Sequence, residues 1–227
     1  MHPLDNPVWM ALTTQQEFLA VVNGQARRFL PGVSTLAAIA EPTDRAYASL
    51  VELIGDGQLN MALQEPYQER RGFKLALGGP MPQMVFEGGA AGIGPIRRGE
   101  EILRLGAADA EEMLALTTLT KPGPFSLRTH ELGTYIGIRK NGKLVAMAGE
   151  RMKIPGYTEV SAVCTHPEHA GKGYARILMA ELIMQICQRD ETPFLHVRGS
   201  NARAIALYQQ LGFKQRVLLH HAVLRKE

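Results

Sequence analysis

The chain is 227 residues long, 45% hydrophobic and 21% charged, with a formal net charge of +3. So small a charge, with no Lys/Arg run or zinc-finger spacing, excludes an electrostatic case for nucleic acid, and no apolar run reaches the roughly 18 residues that cross a membrane. Cys164 and Cys187 each sit inside an apolar pattern, which fits free thiols in a reducing, cytoplasmic setting better than a disulfide.

Residues 1–100 read as a mixed α and β lobe without an assignable motif. The opening MHPLDNPVWM has acidic and proline residues where a signal peptide carries basic and apolar ones. Asp5-Asn6-Pro7 is a start signal for a short helical entry over Val8–Leu19. Ala26–Leu30 reads as a strand ended by Pro31-Gly32. Thr43 or Asp44 caps a helix to Ile54, in which Ala46, Tyr47, Leu50, Leu53 and Ile54 share a face. Leu59–Leu63, Phe73–Leu77 and Gln83–Phe86 read as three short strands separated by glycine and proline. Residues 87–100, EGGAAGIGPIRRGE, read as a connection between two lobes. A second phosphate loop at Gly92 and Gly94 is the sharper reading, weakened because Pro95 lacks a donor.

From residue 101 the pattern is regular. Glu101–Leu105 reads as a strand, and Asp109 as the cap of a helix to about Thr118 with Glu111 and Glu112 in its first turn. Lys121-Pro122-Gly123-Pro124 stops it. Thr134–Arg139 and Lys143–Glu150 flank Asn141-Gly142, a hairpin signal. Glu159–Thr165 alternates as a strand and turns at His166-Pro167-Glu168. Gly171 and Gly173 follow, then a long apolar period through Ile177, Leu178, Leu182, Ile183 and Ile186 to Gln188. Strand, glycine turn and helix start together make a phosphate cradle, because unpaired N–H groups and the positive end of the helix dipole face one point. The spacing is neither GxxxxGK[ST] nor a full GxGxxG, since Arg176 stands where the last glycine or alanine would be, so some other phosphate-bearing cofactor is implied. Phe194–Val197 reads as a strand, Asn201 as the cap of a helix over Ala202–Leu211 that Gly212 stops, and Phe213–His220 as the last strand.

Two local patterns carry a resemblance. Ala170-Gly171-Lys172-Gly173-Tyr174-Ala175 follows the loop written R/QxxGxG/A, and Asn201, Ala204, Leu207, Tyr208, Gly212 and Phe213 follow NxxAxxLYxxxGF. With these on the expected elements, residues 101–221 resemble the GNAT superfamily of acyl-CoA-dependent N-acyltransferases. The resemblance implies that the strand ending at Thr165 splays from its parallel neighbour. Main-chain groups of Val163, Cys164 and Thr165 would then pair with the pantetheine arm of acetyl-CoA. Gly171, Lys172, Gly173, Tyr174 and Ala175 would receive its pyrophosphate, Asn201 would reach the pantetheine in competition with its capping role, and Tyr208 would lie near the thioester sulfur. One departure is Ala170, where the family's Arg or Gln stands. Lys172 or Arg176 is left to add charge, unless both belong to a solvated helix start. The loop Pro122–Gly133, with Phe125, Arg128 and His130, is expected to wall the acceptor pocket, Arg128 either binding an acidic acceptor or pairing locally.

Acyl transfer from a thioester to an amine needs a neutral amine, a polarised carbonyl and a donor to the leaving thiolate. A backbone N–H near Val163 suits the second need, and Tyr208, a phenol of ordinary pKa about 10, the third. Glu159, on the strand face shared with Ser161 and Val163, is the candidate base, with Glu131, Glu150 and His130 behind it. Cys164 has no histidine placed to activate it and reads as core. His220 and His221 are strand neighbours facing opposite sides, which speaks against a joint metal site.

The expected architecture is therefore α/β with a mixed sheet. A GNAT-type domain would occupy residues 101–227, behind an N-terminal α+β lobe, 1–100. That lobe is read as a worn copy of the same fold that completes the acceptor cleft or dimerises. The expected activity is transfer of an acetyl group from acetyl-CoA to a primary amine, small molecule or peptide, by direct attack. A non-catalytic acyl-CoA-binding module is the rival class.

Overall fold

The computed structural model describes residues 2–55, 57–89 and 99–227. Gly92, Gly94 and Pro95, on which the two readings of the glycine-rich segment turn, lie outside the described residues.

The N-terminal half builds a small layer first. Helix α1 (Pro7–Thr13) starts at Asn6, whose side chain accepts from the Trp9 N–H, with Pro7 at the first helical position where its missing donor costs nothing. Strands β1 (Ala20–Asn23), β2 (Ala26–Phe29) and β3 (Ala37–Ile39) form an antiparallel sheet in that order. Helix α2 (Asp44–Ile54) is capped by Thr43, whose Oγ1 accepts from Ala46 N–H at 3.2 Å, and buries Ala46, Tyr47, Leu50 and Ile54 as their spacing predicts. Strands β4 (Gln58–Leu63) and β5 (Phe73–Phe86) complete this half.

The second half follows the expected order: β6 (Leu103–Leu105), α3 (Ala110–Thr120), the hairpin β7 (Tyr135–Lys140) and β8 (Lys143–Ile154), then β9 (Tyr157–Thr165), α4 (Tyr174–Cys187), β10 (Thr192–His196), α5 (Ala202–Gln210) and β11 (Phe213–Lys226). Asp109 precedes α3 without capping it; its carboxylate accepts from Gly106 N–H at 2.9 Å instead. The apolar stripe of α4, Ile177, Leu178, Leu182, Ile183 and Ile186, is buried against Ala146, Ala148, Val160 and Leu195 of the sheet. Each such side chain contributes on the order of 1.5–3 kcal/mol, which fixes the helix start relative to the strand before it.

Two expectations about the N-terminal half are corrected by the sheet. Among the described residues, its eight strands run in the order β4-β11-β5-β10-β9-β8-β7-β6. The boundary drawn at residue 100 therefore does not divide the sheet, because β5 is inserted between β10 and β11 and β4 lies outside β11. The reason is pairing: β10 and β11 are joined through α5 and leave a gap between them that only another strand can fill. The second correction is that Phe73–Leu77 and Gln83–Phe86 belong to one strand. Gly78, Gly79, Pro80 and Pro82 lie within it, paired to β11 from Phe73↔Lys226 to Phe86↔Phe213. The prolines are tolerated because their carbonyls accept from Val197 and Gly199 N–H at 3.1 and 3.0 Å. The donor each proline lacks would point to that same irregular segment, and the ladder to β11 is made by the residues between them.

Candidate active site

The site begins where β9 and β10 part. Their parallel ladder runs only from Tyr157↔Thr192 to Glu159↔Phe194. Beyond it, residues 160–165 stay paired to β8 on one side and open a gap on the other. Within this stretch Ala162 takes φ 52°, and between Gly149↔Ser161 and Met147↔Cys164 the strand carries one extra residue. This is a β-bulge, which re-aims the main chain of Ala162 and Val163 into the gap. Nothing in the alternating pattern of the sequence signals it.

The turn after β9 delivers two glycines in the left-handed region, Gly171 at φ 79° and Gly173 at φ 84°. Gly173 is the N-cap of α4, and no side chain closes the helix end. The first N–H groups of α4 are thus left for an external acceptor, with the dipole behind them. Ala170 sits on the cavity wall, with its own N–H bonded to Pro167 O.

A cavity of about 870 Å³ runs along this gap. Val163, Cys164, Thr165, Gly171, Gly173, Tyr174, Ala175, Asn201 and Tyr208 all line it, so nearly every expected cofactor contact lies on one surface. Lys172 does not: it faces outward, its Nζ 3.4 Å from His169 Nδ1. Arg176 lines the cavity, as does Arg203 of α5, a cation that no motif points to. Asn201 caps α5, its Oδ1 accepting from Ala204 N–H at 3.1 Å, and the residue lines the cavity. Tyr208 is nearly buried, packed edgewise on Phe213, and burial pushes its pKa up to about 12. Burial also pushes the Cys164 thiol up to about 11, the state of an inert core residue.

Glu159 is not placed as a base. It is fully buried and absent from the cavity wall. Arg151 grips it through Nε and Nη2 at 2.7 and 2.6 Å, and His196 Nδ1 lies 2.7 Å from Oε1. Burial alone would raise its pKa, but the Arg151 charge and the hydrogen bonds of Arg151 and His196 outweigh it and hold the carboxyl down at about 2. Such a group is ionised and too weak a base to take an ammonium proton. The other carboxylate candidates are structural too. Glu150 is buried between Arg189, Lys153 and the Thr134 N–H, and Glu131 is held bidentately by Arg128. Arg128 is spent on that surface pair, and the ring of His130 bonds Leu127 O. Of the loop expected to wall the acceptor, Pro122, Gly123 and Pro124 reach the cavity, whereas Phe125 packs edgewise on Tyr135.

The N-terminal half supplies much of the remaining wall, including Val8, Leu36, Asn60, Ala62 and Met81, beside Arg151, His196, Arg198 and His221. His196 has its state set by its neighbours. Gln83 accepts from Arg216 at Oε1 (2.9 Å) and donates Nε2–H to Leu4 O (2.9 Å), which turns its amide nitrogen toward His196 Nε2 at 3.1 Å. Nε2 is then the acceptor, and the ring proton sits on Nδ1, donated to Glu159.

The chain is similar in sequence and fold to several known proteins. A family model described as FR47-like protein matches residues 135–222, from β7 into β11. A solved GNAT-family structure from Novosphingobium aromaticivorans is 38% identical, superposes with a TM-score of 0.89 and covers 100% of both chains. The ribosomal protein bS18-alanine N-acetyltransferase of Escherichia coli is 35% identical over 79 residues, 34% of this chain and 53% of that protein. The N-alpha-acetyltransferase RimI of Mycobacterium tuberculosis is 37% identical over 94 residues, 40% of this chain and 58% of that protein. The chain thus spans little more than half the length of the curated relatives it matches.

Proposed function

The chain belongs to the GNAT family of N-acetyltransferases, and from that premise we propose that it transfers an acetyl group from acetyl-CoA to a primary amine by direct attack. The observation that carries the reading is the meeting, in one cavity, of a bulged strand edge, an uncapped helix start behind two left-handed glycines, and the buried phenol Tyr208.

Each part has one task. Backbone N–H groups from Gly171 to Ala175 receive the pyrophosphate, with Arg176 and Arg203 supplying the charge that Ala170 does not. The open edge of Val163–Thr165 pairs with the pantetheine arm as a strand would, and the Asn201 amide reaches the same arm while its oxygen caps α5. The bulge turns the N–H near Val163 toward the thioester oxygen, where a preorganised donor is worth about 3 kcal/mol in the transition state.

Tyr208 donates a hydrogen bond to the sulfur as the C–S bond breaks. With a pKa of about 12 it lies well above a thiol of about 8.5, so it holds its proton throughout. It stabilises the thiolate, and the proton that finally makes the thiol is one the amine has lost.

The wall built by the N-terminal half faces the acceptor. Acceptor choice in this chain therefore draws on residues outside the 135–222 stretch that the family model matches. The test uses the full chain with acetyl-CoA and a panel of amines (amino acids, aminoglycosides, polyamines and peptides with free N-termini), following release of thiol. Turnover on one class supports the reading. Thermal stabilisation by CoA with no thiol release across the panel would favour an acyl-CoA-binding module, and no CoA binding at all would sink both.

A further inference from the structure

We propose that His221 is the general base of the acetyl transfer and that Asn60 is its positioning residue. This rests on the acetyltransferase reading and adds to it the one group that reading lacks.

The sheet places both residues. On β11, His221 and Val223 share a face, opposite Ala62 and Asn60 of β4. His220 looks to the other face. Both His221 and Asn60 line the cavity. Asn60 is buried and fixed: its backbone N–H donates to Thr35 O at 2.8 Å, and its Nδ2 to Thr35 Oγ1 at 2.8 Å. Its remaining oxygen, Oδ1, lies 2.9 Å from His221 Nε2. An amide oxygen only accepts, so Nε2 carries the ring proton, and the lone pair resides on Nδ1. His196 cannot play this part, because both its ring nitrogens are engaged, by Glu159 and Gln83.

The surroundings keep the ring neutral. Burial, then the charges of Arg198 and Arg151, hold His221 below the usual histidine range. The groups facing it are cationic or neutral: Arg198 and His196 from β10 and the segment after it, and Arg151 from β8. Asn60 and Ala62 of β4 and Gly79 of β5 add no charge.

The chemistry balances as follows. The amine lone pair forms the N–C bond to the thioester carbon, and the carbonyl π pair moves to oxygen. The nitrogen, now positively charged, becomes strongly acidic, and Nδ1 of His221 takes one of its protons. Collapse of the oxyanion breaks the C–S bond. The imidazolium, disfavoured beside Arg151 and Arg198, passes its proton to the thiolate, leaving amide, thiol and the neutral ring.

The test has an arm that needs no turnover. Imidazole ¹⁵N spectra of the full chain, assigned with His221→Gln, are expected to show His221 as the Nε2–H tautomer at pH 7, titrating below free histidine. An Nδ1–H tautomer, or an imidazolium at pH 7, overturns the proposal whether or not an acceptor is known. In the transferase assay, His221→Gln should lower kcat by about 10²-fold or more and abolish the acidic limb of kcat/KM, with CoA binding and the unfolding midpoint retained. Asn60→Asp should move that limb to higher pH, which a merely structural asparagine would not do. An unchanged limb in His221→Gln overturns the assignment while leaving acetyl transfer itself intact.

Discussion

Replacing Glu159 by Gln removes one charge and almost no volume, and it tests the reading of this residue as structural. Wild-type Glu159 is held from its ordinary 4.5 down to about 2 in the folded chain. At ~1.36 kcal/mol per pH unit, that gap is worth about 3 kcal/mol to folding. The sign is fixed by the direction: a depressed carboxylate stabilises above its unfolded pKa, and the contribution drains away as pH falls from 4.5 toward 2. The variant also leaves the Arg151 guanidinium, 13% exposed at the cavity wall, without its anion, and breaking a fully buried pair costs about 3–5 kcal/mol, so the lower end applies here. Urea denaturation of Glu159→Gln at pH 7 is expected to show a loss of about 3 kcal/mol. Repeated at falling pH, the difference from wild type should shrink through the window from 4.5 to 2. A difference below about 1 kcal/mol at pH 7, or one that does not change with pH, would refute the reasoning.

Tyr208→Phe keeps the ring on Phe213 and removes the donor; kcat should fall about 10²-fold, with CoA affinity by calorimetry unchanged. A fragment beginning at residue 101 lacks β4 and β5, which opens both β10 and β11 and strips Met84 and Phe86 from the core under α4 and α5. It should show no cooperative thermal transition by circular dichroism, whereas the full chain should. In Gly149→Ala the new Cβ would stand 2.3 Å from two ring atoms of Tyr135, a fully buried side chain with no room to retreat. Its urea midpoint should drop by the equivalent of about 1–3 kcal/mol, the usual cost of overpacking.

The glycine turn, the helix start behind it and the asparagine cap were legible in the sequence because their signals are local. Glycines that must be left-handed, a helix stripe and an asparagine cap each declare themselves within a few residues, and Gly171, Gly173 and Asn201 stand where the pattern puts them. The opposite wall of the cavity was not, because its determinants are pairings across the sheet. Glu159 looked like a free carboxylate on a strand until Arg151, 8 residues before it, and His196, 37 residues after it, closed around it. Asn60 and His221 are 161 residues apart and meet only through the β4–β11 ladder. The same ladder hides β5: Gly78-Gly79-Pro80 reads as a break in one dimension, and becomes a strand once β11 lies beside it.

The insertion of β5 between β10 and β11 also dictates how the protein must come off the ribosome. The last of the partners of Gln83 on β5, Arg216, lies 133 residues downstream. At synthesis rates of roughly 5–20 residues per second, that is a delay of about 7–27 s. Until β11 is made, β10 can cover only Gln83–Val85, and the rest of β5 lacks its partner, including Leu75 and Leu77, side chains that stay exposed even in the finished fold. The β11 side of β5 can pair only once β11 has been made, so the order of the sheet and the order of the chain are at odds at this one seam.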